Sequence, residues 1–229
     1  MNIMLYLVLC IIGVIYGAIQ SFVYFNKESN KKVIKKKIII ELFYGILFMI
    51  IGKTLRIDLY EITRTKIINF VFLVIYFTFI FHLSIADKKS RKVEKNVMFL
   101  TILFLIVYII YSYVLDKTCI YKYGLYLISL IILLLLDTIV LKRKAQENYY
   151  IELVIILLLM EMFASFEVTL ITLLVAIFAI YIIKFIYKIK NSKKNVKEEK
   201  QTLYIPIIYI IGISHIIVLI SSLFYINYF

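Results

Sequence analysis

The sequence predicts an all-α membrane protein, a polytopic bundle of about eight transmembrane helices forming a single domain over residues 1–229. Three observations predict it. Hydrophobic residues make up 64% of the chain and charged ones only 18%, too few for a water-soluble domain. The charges fall in short blocks between long apolar runs. Those runs approach the ~20 residues a helix needs to cross roughly 30 Å of hydrocarbon, where a helix satisfies its own backbone hydrogen bonds. Lys+Arg 27 against Asp+Glu 14 gives a formal charge of +13, and its placement describes orientation in a bilayer rather than nucleic-acid binding. The lipid bilayer is therefore an expected partner and nucleic acid is not. Abundant Ile, Lys, Tyr and Asn fit an A+T-rich genome and say little about chemistry.

Taken in order, the expected spans cover about residues 3–25, 38–55, 67–86, 96–115, 123–141, 149–165, 168–187 and 204–226. The first is followed by a basic block and a second run, without a small-residue cleavage site, so it reads as a retained span and not a removed signal peptide. The sixth and seventh are nearly continuous. A single helix of about 39 residues would be near 58 Å long, so the chain is expected to turn at Ala164-Ser165-Phe166-Glu167 in a tight helical hairpin. Cys10 lies inside the first run and Cys119 in a short loop, which makes neither a CxxC pair nor a disulfide framework. No metal or other cofactor is expected.

Lysine and arginine set the topology. Alternate loops 26–37, 87–95, 142–148 and 188–203 hold six, five, three and six of them, 20 in all, whereas the opposite loops hold six. Cytoplasmic loops carry the excess, so both termini are expected outside the cell, in a multi-pass protein of the cytoplasmic membrane.

Acids at membrane depth are costly and therefore informative. Asp87 ends the third run and opens the basic stretch Asp87-Lys88-Lys89-Ser90-Arg91-Lys92, while Glu152 follows Asn148-Tyr149-Tyr150-Ile151 near the start of the sixth. Two complete spans lie between them, so both acids return to the inner face at similar depth. Two carboxylates that share one proton have split pKa values, and one can donate while the other activates water against a peptide carbonyl. The bland alternative makes Asp87 an interfacial acid balanced by lysines and Glu152 an acid favoured by a helix N-terminus.

Five stretches, in order, resemble the bacterial type IV prepilin peptidases, membrane-embedded aspartic proteases of eight spans. Gly13-Val14-Ile15-Tyr16-Gly17-Ala18-Ile19-Gln20-Ser21-Phe22-Val23-Tyr24-Phe25-Asn26 is similar to the family's GxxxGSFLNVxIYR start. Lys37-Ile38-Ile39-Ile40-Glu41-Leu42-Phe43-Tyr44-Gly45-Ile46-Leu47-Phe48 resembles RYPxxELLTGLLF, with Glu41 on its acid. Ile85-Ala86-Asp87 through Lys95 resembles IDLxxxxIPN, and Tyr149-Tyr150-Ile151-Glu152 occupies the place of GxGD, with both glycines gone and Glu for Asp. Ile205-Pro206 resembles the start of IPFGPxL. The resemblance implies catalytic Asp87 and Glu152, pilin-like precursors with basic leaders as substrates, and a place in type IV pilus assembly or protein secretion. The loop from Asn26 to Lys37 has no Cys, so the family's zinc and its methyl transfer are not carried over.

Other residues have plainer readings. Gly13 and Gly17 have the small-xxx-small spacing that packs membrane helices in any fold. Pro206 suits a helix start, and Glu41 serves either a hydrogen bond within the bundle or an interface. His82 and His215 match no metal spacing and read as packing or interfacial residues. Glu161 is nine residues beyond Glu152, about 13.5 Å of helical rise into the bilayer. With Asp137 it motivates a rival reading, a small permease or energy-coupled transporter subunit with a polar path.

Overall fold

The computed structural model describes residues 3–25, 31–55, 63–90, 95–128, 131, 147–164, 166–192 and 206–226. Its helices are α1 (Ile3–Phe25), α2 (Lys31–Thr54), α3 (Arg64–Ser90), α4 (Lys95–Leu115), α5 (119–128), α6 (Glu147–Phe163), α7 (Phe166–Ser192) and α8 (Ile207–Ile226). There is no strand among the described residues.

Four helical segments are long and apolar enough to cross a membrane: Met4–Phe22, Arg64–Lys88, Lys95–Leu115 and Glu167–Tyr187. The other expected spans do not reach that length and apolarity among the described residues, and the reasons are local. The second helix starts at Lys31, well before residue 38, because Lys is a good helix former and Lys31, Lys32, Lys35, Lys36 and Lys37 continue the helix beyond its apolar part. The apolar parts of α6 and α8 are Leu153–Phe163 and Ile207–Leu219. At ~1.5 Å per residue the α6 stretch is about 16.5 Å long, roughly half the hydrocarbon thickness. Most of the expected fifth span, including Asp137, lies outside the described residues. Helix α3 continues to Ser90, so Asp87 sits inside its last turns and not at the start of a loop.

Two compact units emerge, Met1–Ile75 and Tyr76–Phe229. In the first, α1 and α2 pack backbone to backbone. A Cβ at Gly13 would overlap the Tyr44 carbonyl oxygen and lie 2.9 Å from Gly45 Cα, and one at Gly17 would lie 2.7 Å from Glu41 Cα. Glycine at both positions is thus what lets the two helices meet. Aromatic rings fill the flanks, with Tyr16 edge-on to Tyr44 at 5.2 Å and Phe48 edge-on to Phe70 at 5.3 Å between centroids.

In the second unit α3 and α8 run antiparallel, a direction fixed by three successive contacts. Asp87 meets Tyr209, Ser84 lies against Gly212, and Tyr76 meets His215. Helix α6 is the centre. Ile155, Ile156, Leu157, Leu159, Met160, Glu161 and Met162 are all buried, so its apolar surface goes all the way round and not along one stripe. Its end is wedged among rings. Phe163 stacks on Tyr76 at 4.6 Å, Phe104 at 5.5 Å and Tyr108 at 3.9 Å. Tyr76 is the thirteenth of the 27 residues of α3, and Phe104 the tenth of the 21 of α4, so the end of α6 abuts the middle of both helices. The helix closes at Ala164, whose N–H donates to the Met160 carbonyl at 2.8 Å, and α7 begins at Phe166.

Candidate functional site

Asp87 is fully buried, at 0% exposure, although Lys88 beside it is exposed. Its burial is made possible by α8. The Tyr209 N–H, in the first turn of that helix, donates to Asp87 Oδ2 at 3.1 Å. The first four N–H groups of a helix have no partner within it, and a carboxylate from a neighbouring helix satisfies one of them. Pro206 stands just before α8, where its missing N–H costs nothing, and its carbonyl accepts the first helical bond from Ile210 at 3.2 Å. Tyr209 makes a second link to the same end of α3. Its hydroxyl lies 2.9 Å from Lys88 Nζ, which also sits 4.2 Å from the Tyr209 ring centroid. Hydrogen bond and cation–π contact act together here. The sequence offered no signal for Tyr209 except its place in the first turn after Pro206.

Glu152, the other expected catalytic acid, belongs to the second turn of α6, and its side chain lies outside the described residues. Its backbone register is described. Counted from the stacked Tyr76 and Phe163, Asp87 is 11 residues forward along α3 and Glu152 is 11 residues back along α6. Each step is about 16.5 Å of helical rise.

A second polar cluster lies at the middle of the unit. His215, Thr172 and Tyr76 are buried at 0%, 0% and 1% exposure; Glu161, on α6, is buried at 1%. The Tyr76 hydroxyl meets His215 Nε2, and Thr172 Oγ1 lies 3.1 Å from His215 Nδ1. The proton positions follow from what each atom can do. Thr172 donates its only hydroxyl proton to the Val168 carbonyl at 2.8 Å, so toward His215 it must accept. In the tautomer that matches this bond, Nδ1 carries the imidazole proton and Nε2 accepts from Tyr76. Three helices, α3, α7 and α8, are tied at one ring. Sequence reading gave His215 only a packing or interfacial place, because its partners are 139 and 43 residues away in the chain.

The remaining candidates fall elsewhere. In the first unit the Ser21 hydroxyl shares its one proton between the Ala18 carbonyl at 2.9 Å and Glu41 Oε1 at 3.4 Å. His82 is half-buried on α3. Outside the apolar spans, Asp116 Oδ1 accepts from the Thr118 N–H at 2.9 Å and hydroxyl at 2.7 Å, which holds its carboxyl below the usual range and starts α5. Burial and the nearby Asp116 charge push the Cys119 thiol up.

No family model matches the chain, and neither does any curated protein or solved structure. The likeness to prepilin peptidases thus rests on the five quoted stretches alone.

Proposed function

We propose that the chain is a divergent membrane aspartic endopeptidase of the prepilin-peptidase kind, in which Asp87 and Glu152 activate water to cut short basic leaders from pilin-like precursors. The cut is made at the inner face of the cytoplasmic membrane, with both termini outside. The observation that carries this reading is the matched register of the two acids about the Tyr76–Phe163 stack. In the topology set by the lysine-rich loops α3 and α6 run in opposite directions, so equal offsets of 11 residues bring Asp87 and Glu152 to one depth. A water held between two such carboxylates can lose a proton to one while the other protonates the leaving amine. Glu in place of Asp lengthens the arm by one methylene, and a displacement near 1 Å costs about a hundredfold in rate. Slow turnover is the expected consequence.

The test is leader removal from a pilin-like precursor of the same organism, co-expressed with the wild-type chain, Asp87→Asn or Glu152→Gln and read by mass. Cleavage by the wild type alone supports the reading. Absence of cleavage with folded protein in the membrane sinks it. One observation favours a second reading, the small permease or energy-coupled transporter subunit: Glu161 is buried at 1% exposure on the central helix, in the half of α6 that reaches the middle of the bundle.

A further inference from the structure

We infer that Lys88 and Tyr209 are positioning residues for the Asp87 carboxylate, an inference that rests on the proposed catalytic role of that acid. Asp87 Oδ2 is aimed by a main-chain N–H, and a main-chain donor is only as well placed as the helix turn that carries it. That turn belongs to α8, which begins 117 positions after Ser90. Something must hold it in register against α3. Ser84 against Gly212 fixes the spacing of the two helices one turn deeper, and Lys88 with Tyr209 fixes it at the end.

The clasp has two parts that substitutions separate. The hydroxyl of Tyr209 accepts from Lys88 Nζ at 2.9 Å, and the ring presents its face to the same ammonium at 4.2 Å. Lys88 is exposed, Tyr209 half-buried and Asp87 buried, so the clasp runs from the exposed side of α3 to the residue whose N–H holds the carboxylate. Lys88 follows Asp87 directly in the chain, and any shift of α8 that moves the Tyr209 N–H also moves the ring away from Lys88. Charge, ring and N–H therefore move as one. The N–H bond to Oδ2 helps to orient the carboxylate, and proton transfer to or from a water depends on that orientation.

The experiment uses the full chain in liposomes with a pilin-like precursor, and compares wild type, Tyr209→Ala, Tyr209→Phe, Lys88→Met and Lys88→Arg. Tyr209→Ala and Lys88→Met are expected to lower kcat about 10- to 100-fold with KM within about twofold, as misplacement of a reacting group does. Tyr209→Phe keeps the ring and Lys88→Arg keeps the cation, so both are expected within about fivefold of wild type. The same proteins are treated with a water-soluble carbodiimide and an amine, and modification of Asp87 is read by peptide mass. It should be slow in the wild type and in the two conservative variants, and at least about fivefold faster in Tyr209→Ala and Lys88→Met. Wild-type kcat in both Tyr209→Ala and Lys88→Met overturns the inference, as does Lys88→Arg acting no better than Lys88→Met. Lys88 is exposed, so Lys88→Met gives the answer even where Tyr209→Ala fails to fold. A wild-type chain that cuts no precursor removes the peptidase reading and the positioning role with it. The carbodiimide rates tell that failure apart, since they report the clasp without any turnover.

Discussion

Tyr76→Phe removes one hydroxyl and leaves the ring, which makes it a clean probe of the three-helix junction at His215. The phenyl group can still stack on Phe163, so the aromatic contact at 4.6 Å is kept. What is lost is the hydrogen bond between the Tyr76 hydroxyl and His215 Nε2, an atom of a residue at 0% exposure. Hydrogen bonds between membrane helices are worth about 0.6 kcal/mol on average and up to about 1.7. Leaving a buried acceptor unsatisfied costs ~1–3 kcal/mol. The expected loss is therefore ~1–2 kcal/mol for Tyr76→Phe, a similar amount for Thr172→Val, and a further ~0.5–1.5 kcal/mol for Tyr76→Leu, which also gives up the stack. The chain has no Trp and 20 Tyr, so tyrosine emission would average over the whole molecule. Unfolding is better followed by pulse proteolysis or circular dichroism in mixed micelles of increasing denaturing detergent. A double-mutant cycle with His215→Leu isolates the pair, and its coupling should be ~0.6–1.7 kcal/mol. A coupling indistinguishable from zero would refute the Tyr76–His215 hydrogen bond as a contributor to stability.

Gly13→Ala should destabilise the first unit by ~1–3 kcal/mol in the same assay, since the new Cβ meets Tyr44 and Gly45 backbone, while Gly124→Ala, with nothing within 4 Å, should be neutral or slightly stabilising. Gly212→Ala should separate α3 from α8 because its Cβ would overlap Ser84 Oγ, and Ser84→Gly in the same chain should recover most of the loss. Cys119 should react with a membrane-impermeant maleimide on intact cells of a Cys10→Ser chain, as the lysine count puts its loop outside; labelling only after permeabilisation would invert the topology. Its thiol is raised, so the thiolate forms at higher pH than usual and the rate should climb through and above the ordinary thiol range. Asp116→Asn removes the nearby negative charge and should shift that climb to lower pH.

Helix class and most helix positions were legible because the bilayer demands long apolar runs, and the turn near Ala164 was legible because one helix of that length would not fit. The length of each helix and of its apolar part was not. Hydropathy cannot tell a lysine-led helix such as α2 from a loop followed by a span, nor see that α6 stops against the middle of α3 and α4. Asp87 stood out as an acid at the end of an apolar run, and its depth of burial came from α8, which no local pattern announces. Tyr76, Thr172 and His215 were hidden for the same reason. Each is an ordinary polar residue in its own helix, and their meaning arises where three helices cross.

Asp87 and Glu161 are both buried, yet they make opposite demands on the mechanism. Burying a carboxylate requires a donor or a proton. Asp87 has a donor in the Tyr209 N–H, near the end of α3 and next to the exposed Lys88. Glu161 is buried two residues from Phe163, whose ring stacks on rings near the middles of α3 and α4. A peptidase at the inner face needs the first acid and can dispense with the charge of the second. A transporter needs a path past the second. Glu161→Gln keeps the size and hydrogen-bonding capacity of the side chain while removing its charge and its proton exchange. It should leave precursor cleavage within about threefold of wild type, where Asp87→Asn abolishes it. In proteoliposomes the same variant should leave passive proton uptake at the wild-type rate. A Glu161→Gln chain that cleaves normally but loses a proton flux present in the wild type would move the function from the end of α3 to the middle of α6.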